Sequence, residues 1–168
     1  MKTYLKMWCI SAALMLCANL ALGDETSVSD ELDSFWAEIS RAVIEGDFAS
    51  YKETYHPDAI VVSGMSKNSQ PASRALIDWE DGFIQTLAGN RKVNLEFRLT
   101  QRINDATTAH ETGIFSYSST GEDGKATVTY MHFEALLIKQ DGWKTLMEYQ
   151  KMPATQEEWD KAAQPTLL

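Results

Sequence analysis

The sequence predicts an α+β domain in which a cone-shaped, curved antiparallel sheet packs on two to three N-terminal helices. Apolar residues recur at helical spacing through a Trp-containing first half. From Lys92 to Met152 four strand-like runs follow one another. Three of those runs end in turn signals: Asn104 to Thr107, Gly121-Glu122-Asp123-Gly124 and Asp141-Gly142. Helices followed by one long bent meander leave a pocket between the two layers.

The chain begins with a segment of another kind. Met1 to Lys6 is short and basic, Met7 to Leu20 is apolar, and Ala21-Leu22-Gly23 places small residues at −3 and −1 before Asp24. This is the pattern of a cleaved export signal over residues 1–23. The apolar run is short for a membrane span, and the acidic residues after it do not stop transfer. An exported, periplasmic or secreted protein with no stable membrane anchor after cleavage is therefore expected. Residues 24–152 form the expected domain, and 153–168 a short C-terminal helix and tail.

Both cysteines, Cys9 and Cys17, fall in the leader. The remaining chain then has no disulfide, no thiol nucleophile and no cysteine metal ligand, and its core must hold the fold alone. Lys2 and Lys6 also leave with the leader and no acid does, so the net charge moves from −9 to −11. An acidic surface repels phosphate backbones and anionic lipid, so nucleic acid is not expected as a partner.

The elements follow in order. Ser27 or Ser29 caps a helix whose stripe is Leu32, Phe35, Trp36, Ile39 and Val43, ended by Gly46-Asp47. Phe48 to Tyr55 reads as a second, shorter helix, and His56-Pro57-Asp58 as a turn, because Pro57 disfavours helical geometry at His56. Ala59 to Ser63 is a buried strand and Gly64 to Gln70 a loop. Pro71 opens a third helix striped by Ala72, Leu76, Trp79, Phe83 and Leu87, closed by Gly89-Asn90.

Val93, Leu95, Phe97, Leu99 and Ile103 then alternate with polar residues, as on a half-exposed antiparallel strand. Thr108 to Ser118, Lys125 to Gln140 and Trp143 to Lys151 are the remaining strands. Thr155 with Glu158 forms a capping box for a short helix carrying Trp159 and stopped near Pro165.

This order resembles the nuclear transport factor 2-like superfamily and, within it, the SnoaL-like proteins. Glu45-Gly46-Asp47 followed by Tyr55-His56-Pro57-Asp58-Ala59-Ile60-Val61-Val62 is similar to the family's opening. Ala109-His110-Glu111-Thr112-Gly113 is similar to one of its strands, and Lys139-Gln140-Asp141-Gly142-Trp143-Lys144 to its hairpin. The resemblance runs from about Ser27 to Met152. It implies a cone with an internal pocket and often a homodimer built through the outer sheet face, but no single activity. Ketosteroid isomerase-like members carry an Asp base shortly after the apolar strand. Ser63 follows that strand here and cannot serve as that base.

Candidate site residues follow from strand parity. Leu95, Phe97 and Leu99 face the helices. A parity-keeping turn at Asn104 puts His110 and Thr112 on the same face, near Gln101. Across Asp141-Gly142, Leu137 pairs with Leu146, Ala135 with Glu148 and Phe133 with Gln150, so Glu148 and Gln150 point inward. A bulge would instead turn His132, Glu134 and Tyr149 inward.

In the first register an apolar cavity holds Glu148 and His110, with Tyr51 or Asp58 at its mouth. A carboxyl group desolvated in such a cavity is a usable acid or base near neutral pH. The expected catalytic candidates are Glu148, with His110 as partner or oxyanion donor, and Asp58. Hydrogen-bonded strand residues without chemistry are the alternative reading of Glu148 and His110, and a turn cap that of Asp58. Tyr51, Tyr55, Trp79, Phe97, Leu99, Gln101, Thr112, Phe133 and Gln150 are the candidates to touch a ligand. Core packing is the alternative for Trp79.

The three histidines, His56, His110 and His132, lack metal-ligand spacing, and no phosphate or dinucleotide loop is present. The reading is a binder of a small apolar or aromatic ligand, without metal or organic cofactor, with or without acid–base chemistry on that ligand. The alternatives are an isomerase, dehydratase or cyclase-type enzyme, and a non-catalytic dimeric module presenting Tyr130, Leu136, Ile138 and Met147.

Overall fold

The structure, a computed structural model, describes residues 27–121 and 124–162. The expected leader over 1–23 and the expected stop at Pro165 lie outside these residues.

Helix α1 spans Val28–Glu45. Ser27 caps it: its side chain accepts from the Asp30 N–H, and the Asp30 carboxylate accepts from the Ser27 N–H. Such a cap contributes about 1 kcal/mol. Its buried stripe is Leu32, Phe35, Trp36, Ile39 and Ala42. Gly46 ends the helix at φ 72°, and a Cβ there would sit 2.6 Å from the Leu87 nitrogen, so only glycine fits the crossing.

Helix α2 is Phe48–Glu53, capped by Asp47 accepting from the Ser50 N–H. Arg41 holds this corner together through Glu38, Glu45 and Asp47.

Strand β1 runs Tyr55–Ser63 and pairs with the short β2, Asn68–Pro71. Two expectations are corrected here. The segment expected as a turn at His56-Pro57-Asp58 is extended chain within β1. The pairing of β1 jumps from Tyr55 to Ile60, which leaves Pro57, with no N–H to give, outside the ladder. The expected loop Gly64 to Gln70 contains the turn of a hairpin.

Helix α3, Ala72–Leu87, follows from Pro71 and buries Ala72, Ala75, Leu76 and Phe83. Leu87, expected on the same stripe, is exposed at the end of the helix.

The long strands are β3 (Lys92–Asn104), β4 (Thr108–Thr120), β5 (Ala126–Lys139) and β6 (Trp143–Ala154). The sheet order is β2-β1-β6-β5-β4-β3. After β2, α3 carries the chain to the far edge, and three hairpins bring it back beside β1. That return makes β1 parallel to β6, so the sheet is mixed, with one parallel junction in an otherwise antiparallel cone.

Helix α4, Gln156–Lys161, has the Thr155–Glu158 capping box and lies on the outer face. There the Arg98 guanidinium sits 4.1 Å from the centroid of the buried Trp159 ring, and Tyr130 5.6 Å from it.

Two bulges decide which side chains enter the cone. In β3 the pairing runs Leu99 with Gly113 and then Gln101 with Thr112, so Thr100 is an extra residue. Beyond it every side chain changes face. In β6 the pairing runs Leu137 with Thr145 and then Leu136 with Met147, so Leu146 is extra.

The core has two parts. One packs α1 on the sheet through Leu32, Trp36, Leu95, Phe133 and Leu137. The other packs α3 on β1 through Tyr55, Ala59, Val61 and Leu76.

Candidate functional site

Between these two parts the cone is hollow. A cavity of about 560 Å³ opens between the helices and the concave face of the sheet. Its walls are aromatic. Trp36 of α1 packs on the sheet residues Phe97 at 4.6 Å between centroids and Phe133 at 5.4 Å. On the helix side Tyr51 packs on Phe83 at 4.8 Å and on Tyr55 at 5.6 Å, and Trp79 lies 6.2 Å from Tyr51.

Glu148 enters this cavity from β6. Both its oxygens are held. Tyr55 O–H donates to Oε2 and the Gln150 amide donates to Oε1 at 2.7 Å. Tyr51 lies 3.2 Å from the Tyr55 hydroxyl. Since Tyr55 has given its one proton to Glu148, Tyr51 is the donor of that contact, and the chain runs Tyr51 to Tyr55 to Glu148. Burial first, and then the charge of Glu148, push both phenols well above their ordinary range. Both tyrosines are therefore fixed as protonated donors.

Sequence parity places Glu148 and Gln150 correctly, because two errors cancel. The last hairpin pairs Lys139 with Trp143 around a three-residue turn, one residue out from the expected register. The extra Leu146 restores it, so Ala135 faces Glu148 and Phe133 faces Gln150 as expected. Leu137 pairs with Thr145, not Leu146. Tyr51, Tyr55, Trp79, Phe97 and Phe133 also line the cavity.

The other candidates do not. His110 lies on the outer face, half-buried and 4.0 Å from Glu134, because the extra Thr100 reverses parity between Leu99 and the Asn104 turn. Thr112 is turned outward with it, its hydroxyl 3.2 Å from that of Thr100, and Gln101 and Ile103 are exposed. Asp58, 88% exposed, points to solvent beside His56. Leu99 faces inward but packs against the core below the cavity. His132 and Glu134 stay outside, paired with Glu158 and Lys151.

In place of His110, the bulge turns Glu111 inward. Glu111 is fully buried, accepts from the Trp36 indole N–H and pairs with Arg102. Arg102 also reaches the Ser29 carbonyl at 3.2 Å and the Asp33 carboxylate at 2.8 Å. This cluster fixes the Trp36 ring that forms one wall of the cavity. Its sequence signal is the opposite charge of Arg102 and Glu111 across the Asn104 turn.

The rim carries Asp78 and Asp81 of α3 and Arg91, whose guanidinium lies 5.7 Å from the Tyr117 centroid. Asp78, Gly82 and Thr86 fall four residues apart beside the apolar stripe of α3, a spacing that marks the face next to the core. Among the described residues no three His, Cys, Asp or Glu side chains gather in a way that could hold a metal ion.

Solved structures share this architecture. The β subunit of a benzoate 1,2-dioxygenase from Burkholderia mallei aligns with TM-score 0.61 at 14% identity, over 74% of this chain and 89% of that one. An NTF-2-like protein of unknown function from Shewanella oneidensis aligns with TM-score 0.56 at 14% identity, over 72% and 96%. The chain has the nuclear transport factor 2-like fold. A ketosteroid isomerase-like protein from Erwinia carotovora shares the fold with TM-score 0.51 at 14% identity, over 70% and 89%. Neither a family model nor a curated protein matches the sequence.

Proposed function

We propose that this is an exported nuclear transport factor 2-like protein, related to the SnoaL-like proteins, that binds a small, mostly apolar molecule inside the cone. One observation carries the reading: a 560 Å³ cavity with aromatic walls holds an ordered carboxyl group, Glu148, bonded by Tyr55 and Gln150. Apolar walls supply affinity and a few fixed polar atoms supply orientation. The basic-then-apolar leader supports export. Exposed Ile103, Leu136 and Met152 on the strands support a homodimer through the outer face.

Native mass spectrometry of the protein from its own exported fraction tests this. A retained mass that denaturation releases supports binding, and the same spectrum reports cleavage after Gly23 and the subunit count. A protein that carries no mass, and whose melting temperature no apolar compound raises, contradicts it.

The chain of donors ending on Glu148 favours a second reading, in which the bound molecule is also transformed. Glu148 would take a proton from carbon next to a carbonyl and return it to another atom of the same molecule or to its leaving hydroxyl, in an isomerase, dehydratase or cyclase-type reaction, with Tyr55 and Tyr51 ordering the carboxylate that accepts it. His110 has no part in it, lying on the opposite face of the sheet. Under this reading Glu148→Gln abolishes turnover of the ligand identified and leaves the ligand bound.

A further inference from the structure

The hydrogen bonds around Glu148 restrict what the cavity can recognise. Tyr55 has committed its proton to Glu148 and Tyr51 its proton to Tyr55, so neither phenol has one left for a ligand. The remaining lone pairs of Glu148 are acceptors. A ligand carbonyl or carboxylate oxygen brought to them meets only acceptors, while a ligand donor meets a carboxylate, which favours most a donor that carries positive charge.

The charge balance points the same way. Both groups that bond Glu148 are neutral, and cations nearby in sequence or sheet are engaged elsewhere: Lys144 with Glu53, Lys151 with Glu134, Arg102 with Glu111 and Asp33. Three acids, Glu148, Asp78 and Asp81, and one cation, Arg91, face the cavity. A carboxylate in an apolar cavity is stabilised most by a cation that shares its desolvated site. Trp36, Tyr51, Tyr55 and Trp79 line the same cavity, and aromatic faces attract cations electrostatically.

We propose that the cone selects a small organic monocation, an amine or quaternary ammonium on an aromatic or aliphatic body, with its charged end at Glu148. This rests on the reading of the cone as a ligand site and names the class of ligand.

The test is isothermal titration of the full-length mature protein with three compounds of one carbon skeleton: phenethylamine, 2-phenylethanol and phenylacetate. The amine is expected to bind at least about tenfold more tightly than the alcohol, the size expected of a desolvated cation over aromatic faces beside a carboxylate. Phenylacetate is expected to bind most weakly. In Glu148→Gln the preference for the amine disappears while the alcohol keeps its affinity. Equal or tighter binding of the alcohol or the acid overturns the cation assignment and leaves the cavity reading intact. An unchanged preference in Glu148→Gln also overturns it. Binding of none of the three overturns both. The comparison of the three compounds on the unsubstituted protein decides the matter if Glu148→Gln does not fold.

Discussion

Tyr55 and Glu148 meet at the parallel junction of the cone: the phenol at the start of β1 donates to a carboxylate three residues beyond its ladder partner Thr145. The contact spans 93 residues of sequence and ties two neighbouring strands, β1 and β6, on the cavity side of the sheet. It orders Glu148 and commits the Tyr51 proton at the same time.

Tyr55→Phe removes that donor and the acceptor of Tyr51 together. A buried polar group left without its partner costs about 1–3 kcal/mol. Urea denaturation is expected to show a loss in that range. Tyr51→Phe, which removes only the outer end of the chain, is expected to cost less. The reverse order of the two variants would show that the chain does not run toward Glu148.

Arg102 and Glu111 are a second coupled pair. Removing one member of a buried ion pair costs about 3–5 kcal/mol, since the other charge stays behind. Arg102→Met alone is expected to fall in this range. Glu111→Gln keeps an acceptor for Trp36, so adding it to Arg102→Met is expected to recover part of the loss. Strict additivity of the two single changes in denaturant melts would contradict the coupling.

Two glycines respond oppositely to alanine. At Gly113 a Cβ would lie 2.3 Å from the Arg98 carbonyl oxygen, inside the bulge that sets the parity of β4. Gly113→Ala is expected to cost about 3 kcal/mol through backbone displacement. At Gly82, inside α3, a Cβ would meet Arg91 at an ordinary 3.5 Å. Gly82→Ala is expected to stabilise by up to about 1 kcal/mol from helix propensity alone. Thermal melts of both variants check the pair.

Acid weakens the fold in a defined direction. Bonding to Arg41 and to the Ser50 N–H holds the Asp47 carboxyl down at about 2. Hydrogen bonds also lower Glu31 (Lys139 and Trp143), Glu38 (Arg41), Asp105 (the Thr107 and Thr108 N–H groups) and Glu158 (Thr155). Each group has a lower pKa folded than unfolded, so the unfolded chain binds more protons as the pH falls. Their stabilisation is complete above the ordinary carboxylate range and is lost between about pH 5 and pH 2. Asp47→Asn is expected to lower the melting temperature at pH 7 and to leave it nearly unchanged at pH 2. An equal loss at both values would contradict the assignment.

Much of this was legible in the residues. The capping boxes, the stripe of α1 and the turn signals carry local information, and they give the elements and their order. Phe133, Tyr51 and Trp79 follow from periodicity and parity; Glu148 and Gln150 come out on the right face only because the hairpin offset and the extra Leu146 cancel, and Tyr55, at the end of the second helix by its sequence, opens β1 instead. What escaped is nonlocal. Nothing in Leu99-Thr100-Gln101 announces an extra residue, because a bulge is set by how two strands twist against each other. That one residue sends His110, Thr112 and Gln101 outside and brings Glu111 in. Pro57 signals a turn in the sequence, whereas β1 carries it outside the ladder in extended chain, and Asp58 beside it points to solvent. The parallel β1–β6 junction depends on where α3 delivers the chain, which no window of sequence contains.

The indole N–H signals of Trp36, Trp79, Trp143 and Trp159 give the most direct measurement. In a nitrogen–proton NMR titration with a small aromatic amine, Trp36 and Trp79, which line the cavity, are expected to shift. Trp143, bonded to Glu31, and Trp159, stacked under Arg98 on the outer face, are expected to stay in place. Shifts confined to Trp143 or Trp159, or no shift at any indole, would contradict the cone as the binding site.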